Sequence, residues 1–137
     1  MNVFPGFCVL DANFKIAINS EELQFLAEYA ACHVFKDMDA DDAATGGIKV
    51  ELCLIKDEVD NLGESNKEAY TLSISENDIV ITAAESNGIF FGLQTVAQLL
   101  NQYKDRLPLL KIHDAPKYGY RGMHLDVSRH FQSVDFI

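Results

Sequence analysis

The sequence is short of basic residues and has no tryptophan. Its 11 basic side chains are outnumbered by 21 acidic ones, which gives a formal net charge of −10. Such a charge repels both polyphosphate chains and anionic membrane surfaces. We therefore expect neither nucleic acid nor membrane among the partners of this protein.

Cysteines and long apolar runs are also scarce. Cys8, Cys32 and Cys53 are odd in number, and no two have the Cys-x-x-Cys spacing of redox and zinc motifs. This pattern favours buried free thiols over a disulfide framework or a zinc site. No window approaches the roughly 18 apolar residues of a membrane helix, and the amino terminus does not resemble a signal peptide. We expect neither feature in this sequence.

What the sequence does contain is the composition of one globular domain. It is 48% hydrophobic and 23% charged over 137 residues, which is enough for a hydrophobic core and argues against disorder. Apolar patterns predict strands at residues 14–18, 48–55, 68–74, 79–83 and 107–112. The apolar run at 48–55 suggests a strand interior to a sheet and covered on both faces. Polar residues 76–78 predict a hairpin between the third and fourth strands.

Two amphipathic helices are predicted between these strands. The first runs from about Glu21 to about Phe35, after Ser20 as the N-cap, and the second from about residue 86 to 103. Gly88 and Gly92 lie one turn apart on the second helix, which predicts close contact with a sheet. The element order predicts an α+β fold of two helices packed on a mostly antiparallel sheet of four to five strands.

An acidic stretch resembles the start of a calcium-binding loop. Asp37, Asp39 and Asp41 alternate as the first ligands of such a loop do, but Asp42 and Ile48 stand where the template needs glycine and glutamate. The pattern therefore favours a solvated surface loop. The isolated histidines likewise lack a metal-ligand partner at helix or finger spacing. We expect no metal and no cofactor.

The last residues begin a new structural unit. Met123, Leu125 and Val127 alternate as in a strand, and a helix is predicted from Ser133. A strand that leads into a helix is half of a βαβ unit and cannot bury its apolar face alone. We therefore expect the chain to be a fragment of a larger protein. Residues 118–137 should be disordered, pack opportunistically or mediate self-association.

Two groups of polar residues in this segment deserve comparison with known sites. Asp126, Ser128 and His130 have the residue types of a nucleophilic triad, but close neighbours along a strand are seldom oriented as one, and a Gly-x-Ser-x-Gly elbow is absent. Arg121 starts an apolar strand, where a cation must be paired or reach solvent. Its partner is either Asp126, in a structural role, or neighbouring sugar hydroxyls that suit the guanidinium fork.

Residues 120–131 resemble the opening strand of the catalytic barrel in glycoside hydrolase family 20, the β-N-acetylhexosaminidases. Their sequence is Tyr-Arg-Gly-Met-His-Leu-Asp-Val-Ser-Arg-His-Phe. Residues 88–100 and 112–116 resemble the end of the N-terminal α+β domain of that family. The similarity covers roughly residues 70–137, while residues 1–69 agree only in predicted element order. His124 departs from the pattern because it fills a place that is usually apolar.

The resemblance implies two units and an activity. Residues 1–116 would be the accessory α+β domain, and residues 117–137 the start of a catalytic (β/α)8 barrel. The parent enzyme would remove terminal, non-reducing β-linked N-acetylglucosamine or N-acetylgalactosamine with retention, and the acetamido oxygen of the substrate would be the nucleophile. The catalytic Asp–Glu pair of the family lies on a later barrel strand, outside this chain. The chain alone should therefore be inactive.

The resemblance also assigns site residues and partners. It implies that Arg121 binds hydroxyls of the terminal sugar, while Asp126, Arg129 and His130 support the first strand and its turn. The partners would be N-acetylhexosamine-containing glycans, through the full-length enzyme, and the catalytic barrel of the same protein. Such enzymes are periplasmic, secreted or lysosomal, and the chain itself does not fix the compartment.

Two alternatives stay open. Similar accessory domains precede the barrels of other glycosidases, such as α-glucuronidases and O-linked N-acetylglucosaminidases, although the sequence of residues 121–131 argues against them. The α+β domain could also be an independent module that binds carbohydrate or protein. The absence of tryptophan and of a clear aromatic platform argues against a carbohydrate module.

Overall fold

The structure is a computed structural model that describes residues 1–10, 13–36, 39–40, 47–55, 67–104, 106–126, 131 and 133–136. Seven strands in this part of the chain form one sheet. They are β1 (Asn2–Val9), β2 (Asn13–Ile18), β3 (Asp39–Ala40), β4 (Ile48–Leu54), β5 (Tyr70–Ile74), β6 (Asp78–Ala83) and β7 (Arg106–Asp114). Their order across the sheet is β1-β7-β5-β6-β4-β2-β3.

Both predicted helices form. The first has an α-helical centre, α1 (Gln24–Tyr29), between a 3-10 turn (Glu21–Leu23) and a π-helical turn (Ala30–Val34). Ser20 caps it, because the Ser20 hydroxyl accepts a hydrogen bond from the Glu22 N–H at 3.3 Å. The second helix, α2, spans Ser86–Tyr103, as predicted.

The sheet is more mixed than the sequence predicts. Three strand pairs are antiparallel (β1/β7, β7/β5 and β5/β6), and three are parallel (β6/β4, β4/β2 and β2/β3). The α+β class, the two helices and the β5–β6 hairpin are confirmed. The prediction of four to five strands in a mostly antiparallel sheet is wrong. Parallel strands need a long crossover, and α1 supplies one between β2 and β4.

The sequence does not predict β1, because residues within it interrupt the pattern that is typical of a strand. Pro5 has no N–H to donate, and Gly6 has a φ of +115°, which side chains larger than hydrogen rarely adopt. The pairing register with β7 shifts between Val3 and Phe7, as at a β-bulge. Pairing with β7, which is remote in sequence, makes this segment a strand.

The helices cover one face of the sheet. In β4, Ile48, Val50 and Leu52 are buried beneath them, while Lys49 on the other face is exposed. The interior position of β4, between β6 and β2, is confirmed, but its predicted coverage on both faces is wrong. The core also includes Leu72, Ile79, Ile81, Ile89, Leu93 and Val96. Each fully buried aliphatic side chain of this size contributes about 1.5–3 kcal/mol to folding.

α2 lies unusually close to the β5–β6 hairpin. A Cβ added at Gly88 would overlap the Ala69 carbonyl oxygen and lie 2.7 Å from the Ala83 Cβ. A Cβ added at Gly92 would lie 2.5 Å from Cγ2 of Ile81. The predicted close contact between this helix and the sheet is confirmed.

The segment after β7 forms no regular structure over residues 115–126. Tyr120 is 89% exposed and Met123 is 79% exposed. The predicted strand is not formed by these residues, because a strand needs a neighbour for its backbone hydrogen bonds and no described strand pairs with them. A 3-10 turn at Val134–Phe136 stands where a helix is predicted. Within the described residues, neither helix has the length and apolar character needed to cross a bilayer.

We predict that Gly88→Ala destabilises the domain by about 1–3 kcal/mol because its methyl group overpacks the helix–sheet contact. Helix propensity acts in the opposite direction, since alanine is favoured over glycine in a helix by about 1 kcal/mol. Chemical denaturation measures the change. Gly119→Ala is the control, since a Cβ there meets nothing within 4 Å. A Gly88→Ala variant more stable than the original chain would contradict the packing argument.

Candidate functional site

Arg121 lies at the point where the chain leaves the α+β unit. Its Nη2 pairs with the carboxylate of Glu68, and its Nη1 donates a hydrogen bond to the Tyr118 carbonyl oxygen at 3.0 Å. The guanidinium carbon lies 6.0 Å from the centre of the Phe91 ring, within cation–π range. One side chain thus contacts the turn before it, a residue two positions before β5 and the surface of α2.

The sequence did not indicate Glu68 as a site residue. It lies 53 positions before Arg121 and belongs to the charged connection that precedes β5. No local pattern relates two residues so far apart, and their pairing depends on the sheet topology. The topology itself was only partly predictable.

Arg121 and Glu68 border a groove of about 380 Å³. The groove lies between α2 and the ends of β5 and β7. Its lining comprises Glu68, Tyr70, Phe91, Gln94, Thr95, Gln98, Asp114, Ala115, Pro116 and Arg121. It therefore combines charged, amide and aromatic groups on an accessible surface.

A buried tyrosine anchors the floor of this groove. The hydroxyl oxygens of Tyr70 and Thr95 lie 2.6 Å apart, and the Tyr70 hydroxyl donates to Asp114 Oδ2 at 3.4 Å. Asp114 Oδ1 accepts a hydrogen bond from the Ala115 N–H at 3.0 Å. Burial raises the pKa of Tyr70, and the nearby Asp114 carboxylate also raises it, while the bond to Thr95 lowers it. The tyrosine is held as a neutral hydrogen-bonding group.

The other predicted site residues are less informative. Asp126 is exposed on the segment after β7. Arg129 and His130 lie outside the described residues, as does Ser128, which was compared with the serine of a nucleophilic triad. Their predicted structural role stays a prediction, as does the sugar-binding role of Arg121. The structure brings together Arg121 and Glu68, and only the first of these was predicted.

The described residues contain no group of three or more His, Cys, Asp or Glu side chains that could hold a metal ion. Asp37, Asp41 and Asp42 of the acidic stretch lie outside them. His113 Nδ1 is 2.9 Å from the Thr71 hydroxyl, and the His33 ring packs 4.8 Å from the Tyr29 ring.

The three cysteines are free, but the predicted burial is confirmed only for Cys8, because Cys32 is exposed and Cys53 is partly buried. Cys8 is fully buried, and this burial, with a smaller contribution from Asp78, raises its thiol pKa to about 11. Burial also raises the pKa of Cys53. A thiol with a raised pKa is a poor nucleophile at neutral pH, so neither residue is a candidate for catalysis.

Comparison with known proteins gives consistent matches. A family model described as glycosyl hydrolase family 20, domain 2, matches residues 2–115. β-Hexosaminidase B of Pseudoalteromonas piscicida is 43% identical over 68 residues, which cover 50% of this chain and 9% of that protein. A β-hexosaminidase of Porphyromonas gingivalis is 30% identical over 137 residues, which cover 93% of this chain and 18% of that protein. The chain thus spans less than a fifth of either relative.

The fold is shared with solved structures. A β-N-acetylhexosaminidase of Streptomyces coelicolor A3(2) matches 98% of this chain with a TM-score of 0.70 and 26% sequence identity. The match covers 28% of that chain. The whole of the present chain therefore corresponds to one part of a larger structure.

We predict that Tyr70→Phe destabilises the fold by about 1 kcal/mol at neutral pH, because it removes the hydrogen bonds to Thr95 and Asp114. It should also weaken the loss of stability above about pH 10. Because the pKa of Tyr70 is raised on folding, the unfolded chain ionises first as the pH rises, and the free energy of unfolding falls.

Denaturant titrations at pH 7 and above pH 10 measure both effects. Tyr103→Phe, at the exposed end of α2, is the matched control. If Tyr70→Phe and the original chain lose stability equally at high pH, the role given to the Tyr70 hydroxyl is wrong.

Proposed function

Because the chain belongs to the family described as glycosyl hydrolase family 20, domain 2, we propose that it is part of a β-N-acetylhexosaminidase. The observation that carries this proposal is the family match over residues 2–115 together with relatives named β-hexosaminidase. The parent enzyme removes terminal, non-reducing β-linked N-acetylglucosamine or N-acetylgalactosamine. Its partners are glycans that end in these sugars.

We assign the α+β unit, residues 1–116, to the accessory domain and residues 117–137 to the start of the catalytic barrel. The family match ends at residue 115, and the last strand of the sheet ends at Asp114. After that residue the chain leaves the sheet and becomes largely exposed. The partner of the accessory domain is the catalytic barrel of the same protein.

The proposed reaction is retaining and substrate-assisted. The acetamido oxygen of the substrate attacks the anomeric carbon, and an enzyme glutamic acid protonates the leaving oxygen. A neighbouring aspartate orients the acetamido group. Both acidic residues are expected on a later barrel strand, so this chain supplies no catalytic residue.

The two arginines of the barrel motif flank its predicted strand. Arg121 precedes the alternating residues Met123, Leu125 and Val127, whereas Arg129 follows them. We propose that Arg121 binds hydroxyls of the terminal sugar in the full-length enzyme, because its planar guanidinium fork suits neighbouring hydroxyls. Asp126, Arg129 and His130 are assigned to structural support of the first strand and its turn. In this chain the Arg121 guanidinium contacts Glu68, Tyr118 and Phe91 and lines the accessible groove.

We predict that the purified chain does not hydrolyse an aryl β-N-acetylglucosaminide, because a barrel active site draws on loops after several strands. Release of the aryl alcohol, followed by absorbance, measures the activity. The full-length enzyme from the parent gene is the positive control. Hydrolysis by the chain that a mutation within it abolishes would overturn the assignment of these residues to a non-catalytic part.

We predict that Arg121→Gln lowers kcat/KM of the full-length enzyme about ten- to a hundredfold, as expected for the loss of a charged hydrogen bond to the substrate. Arg129→Gln should instead lower the melting temperature and change kcat/KM of the folded enzyme by less than about threefold, because its assigned role is structural support. Steady-state kinetics and thermal unfolding of both variants provide the comparison.

An unchanged kcat/KM for Arg121→Gln in the folded full-length enzyme would contradict the sugar-binding role proposed for Arg121. No activity in the full-length protein would instead contradict the proposed function.

A further inference from the structure

We propose that two copies of this chain associate through β1, the strand at one edge of the sheet. The apolar side chains of β1 in one copy pack against the same side chains in the other. This inference goes beyond the proposed function, because it concerns a different surface and does not depend on hydrolase activity.

β1 exposes large apolar side chains along its whole length. Val3, Phe4, Phe7 and Val9 are each at least half exposed, and so is Met1 before the strand. In no other strand that the structure describes is a large hydrophobic side chain as exposed as these. Extended apolar patches on a protein surface usually mark an interaction site.

The position of β1 in the sheet explains this exposure. Cys8 is the one buried residue of β1, whereas Leu107 and Leu110 of the neighbouring strand β7 are fully covered. β1 pairs with β7 on one side and has no described strand on the other. An unpaired edge strand with apolar side chains favours association with another chain.

The charge distribution favours a second copy as the partner. Residues 2–9 contain no charged side chain, and residues 106–113 of β7 contain Arg106 and Lys111 but no acidic residue. All 21 acidic side chains therefore lie outside these two segments. Two copies with a net charge of −10 repel each other, and this repulsion is weakest where acidic side chains are absent.

The exposed area is sufficient for a weak dimer. Half of the accessible area of the five apolar side chains is on the order of 500 Å² in each copy. Two copies would bury about 1,000 Å², which is near the lower limit for a specific interface. The Arg106 guanidinium lies 5.1 Å from the centre of the Phe7 ring and restrains it, which lowers the entropy cost of the contact. We therefore expect a dissociation constant of roughly 10–100 µM.

The structure of β1 favours a closed pair over an open-ended sheet. Pro5 has no N–H to donate, and the register shift between Val3 and Phe7 interrupts regular pairing. These features oppose the addition of a further strand along the whole of β1. A contact of one patch with the same patch in a second copy closes at two molecules.

The β1 surface is separate from the groove. Phe7 pairs with Pro108 near the start of β7, whereas the groove lies at the other end of β7, at Asp114. These two positions are about 20 Å apart along the strand. The contact between two copies therefore uses none of the residues that line the groove.

Sedimentation equilibrium of the purified chain tests the proposal. Over about 1–300 µM it should show a monomer–dimer equilibrium. Phe7→Lys should raise the dissociation constant at least about tenfold, because it places a charge in the contact. Val3→Lys is a second variant that should act in the same way. Added salt should tighten the dimer of the original chain, because it screens the repulsion between the two copies.

The same substitution on two other surfaces provides matched controls. Phe25 on α1 is 73% exposed, and Tyr120 in the segment after β7 is 89% exposed. Phe25→Lys and Tyr120→Lys add the same charge as Phe7→Lys, and neither should change the dissociation constant. Circular dichroism and chemical denaturation establish that each variant is folded.

An original chain that stays monomeric over this concentration range would overturn the proposal. A dimer that persists in the folded Phe7→Lys and Val3→Lys variants would overturn it as well. Loss of the dimer in Tyr120→Lys or Phe25→Lys alone would assign the contact to the segment after β7 or to the helices instead. Each of these results leaves the proposed function unchanged, because the measurement requires no hydrolase activity.

Discussion

The short distance between α2 and the β5–β6 hairpin governs the geometry of this domain. Gly88 and Gly92 allow the helix backbone to approach Ala69 and Ile81 more closely than any side chain would permit. That approach brings Thr95 within hydrogen-bond distance of Tyr70 and places Phe91 in the lining of the groove. The groove, the buried tyrosine and the support for Arg121 all follow from this single contact. A larger residue at either glycine would therefore alter the exit of the chain as well as the core.

The sequence predicted those elements whose information is local. α2 and the β5–β6 hairpin follow from regular apolar spacing and a polar turn, and both form as expected. β1 was missed because Pro5 and Gly6 break the pattern, and its pairing with β7 joins opposite ends of the domain. The three parallel pairs were missed for a related reason, since strand order is a property of the whole fold. Periodicity shows which face of a strand is buried, but it does not identify the neighbouring strand.

In the candidate site, too, local sequence predicts one residue, and the fold as a whole determines its partner. Arg121 was predicted because a cation at the start of an apolar strand needs a partner, and one alternative was a structural pair. The structure supplies such a partner in Glu68, which lies 53 positions away and has no recognisable motif. The assignment of residues 117–137 to a barrel strand and of Arg121 to sugar binding depends on the resemblance to a family, and both stay predictions. Local pattern alone does not decide them, because a barrel strand acquires its neighbours only from the rest of the barrel.

An accessory domain can contribute to catalysis without contacting the substrate. A barrel active site requires its residues to be held within fractions of an ångström, and the first strand inherits its starting position from the chain that precedes it. In this domain the end of β7 is fixed by its pairing with β5, because Asp114 pairs with Tyr70, and the Tyr70 hydroxyl bonds to Thr95 of α2. The close packing of α2 on the sheet therefore determines where the chain leaves the sheet, and the proposed contribution of residues 1–116 is to set that exit point.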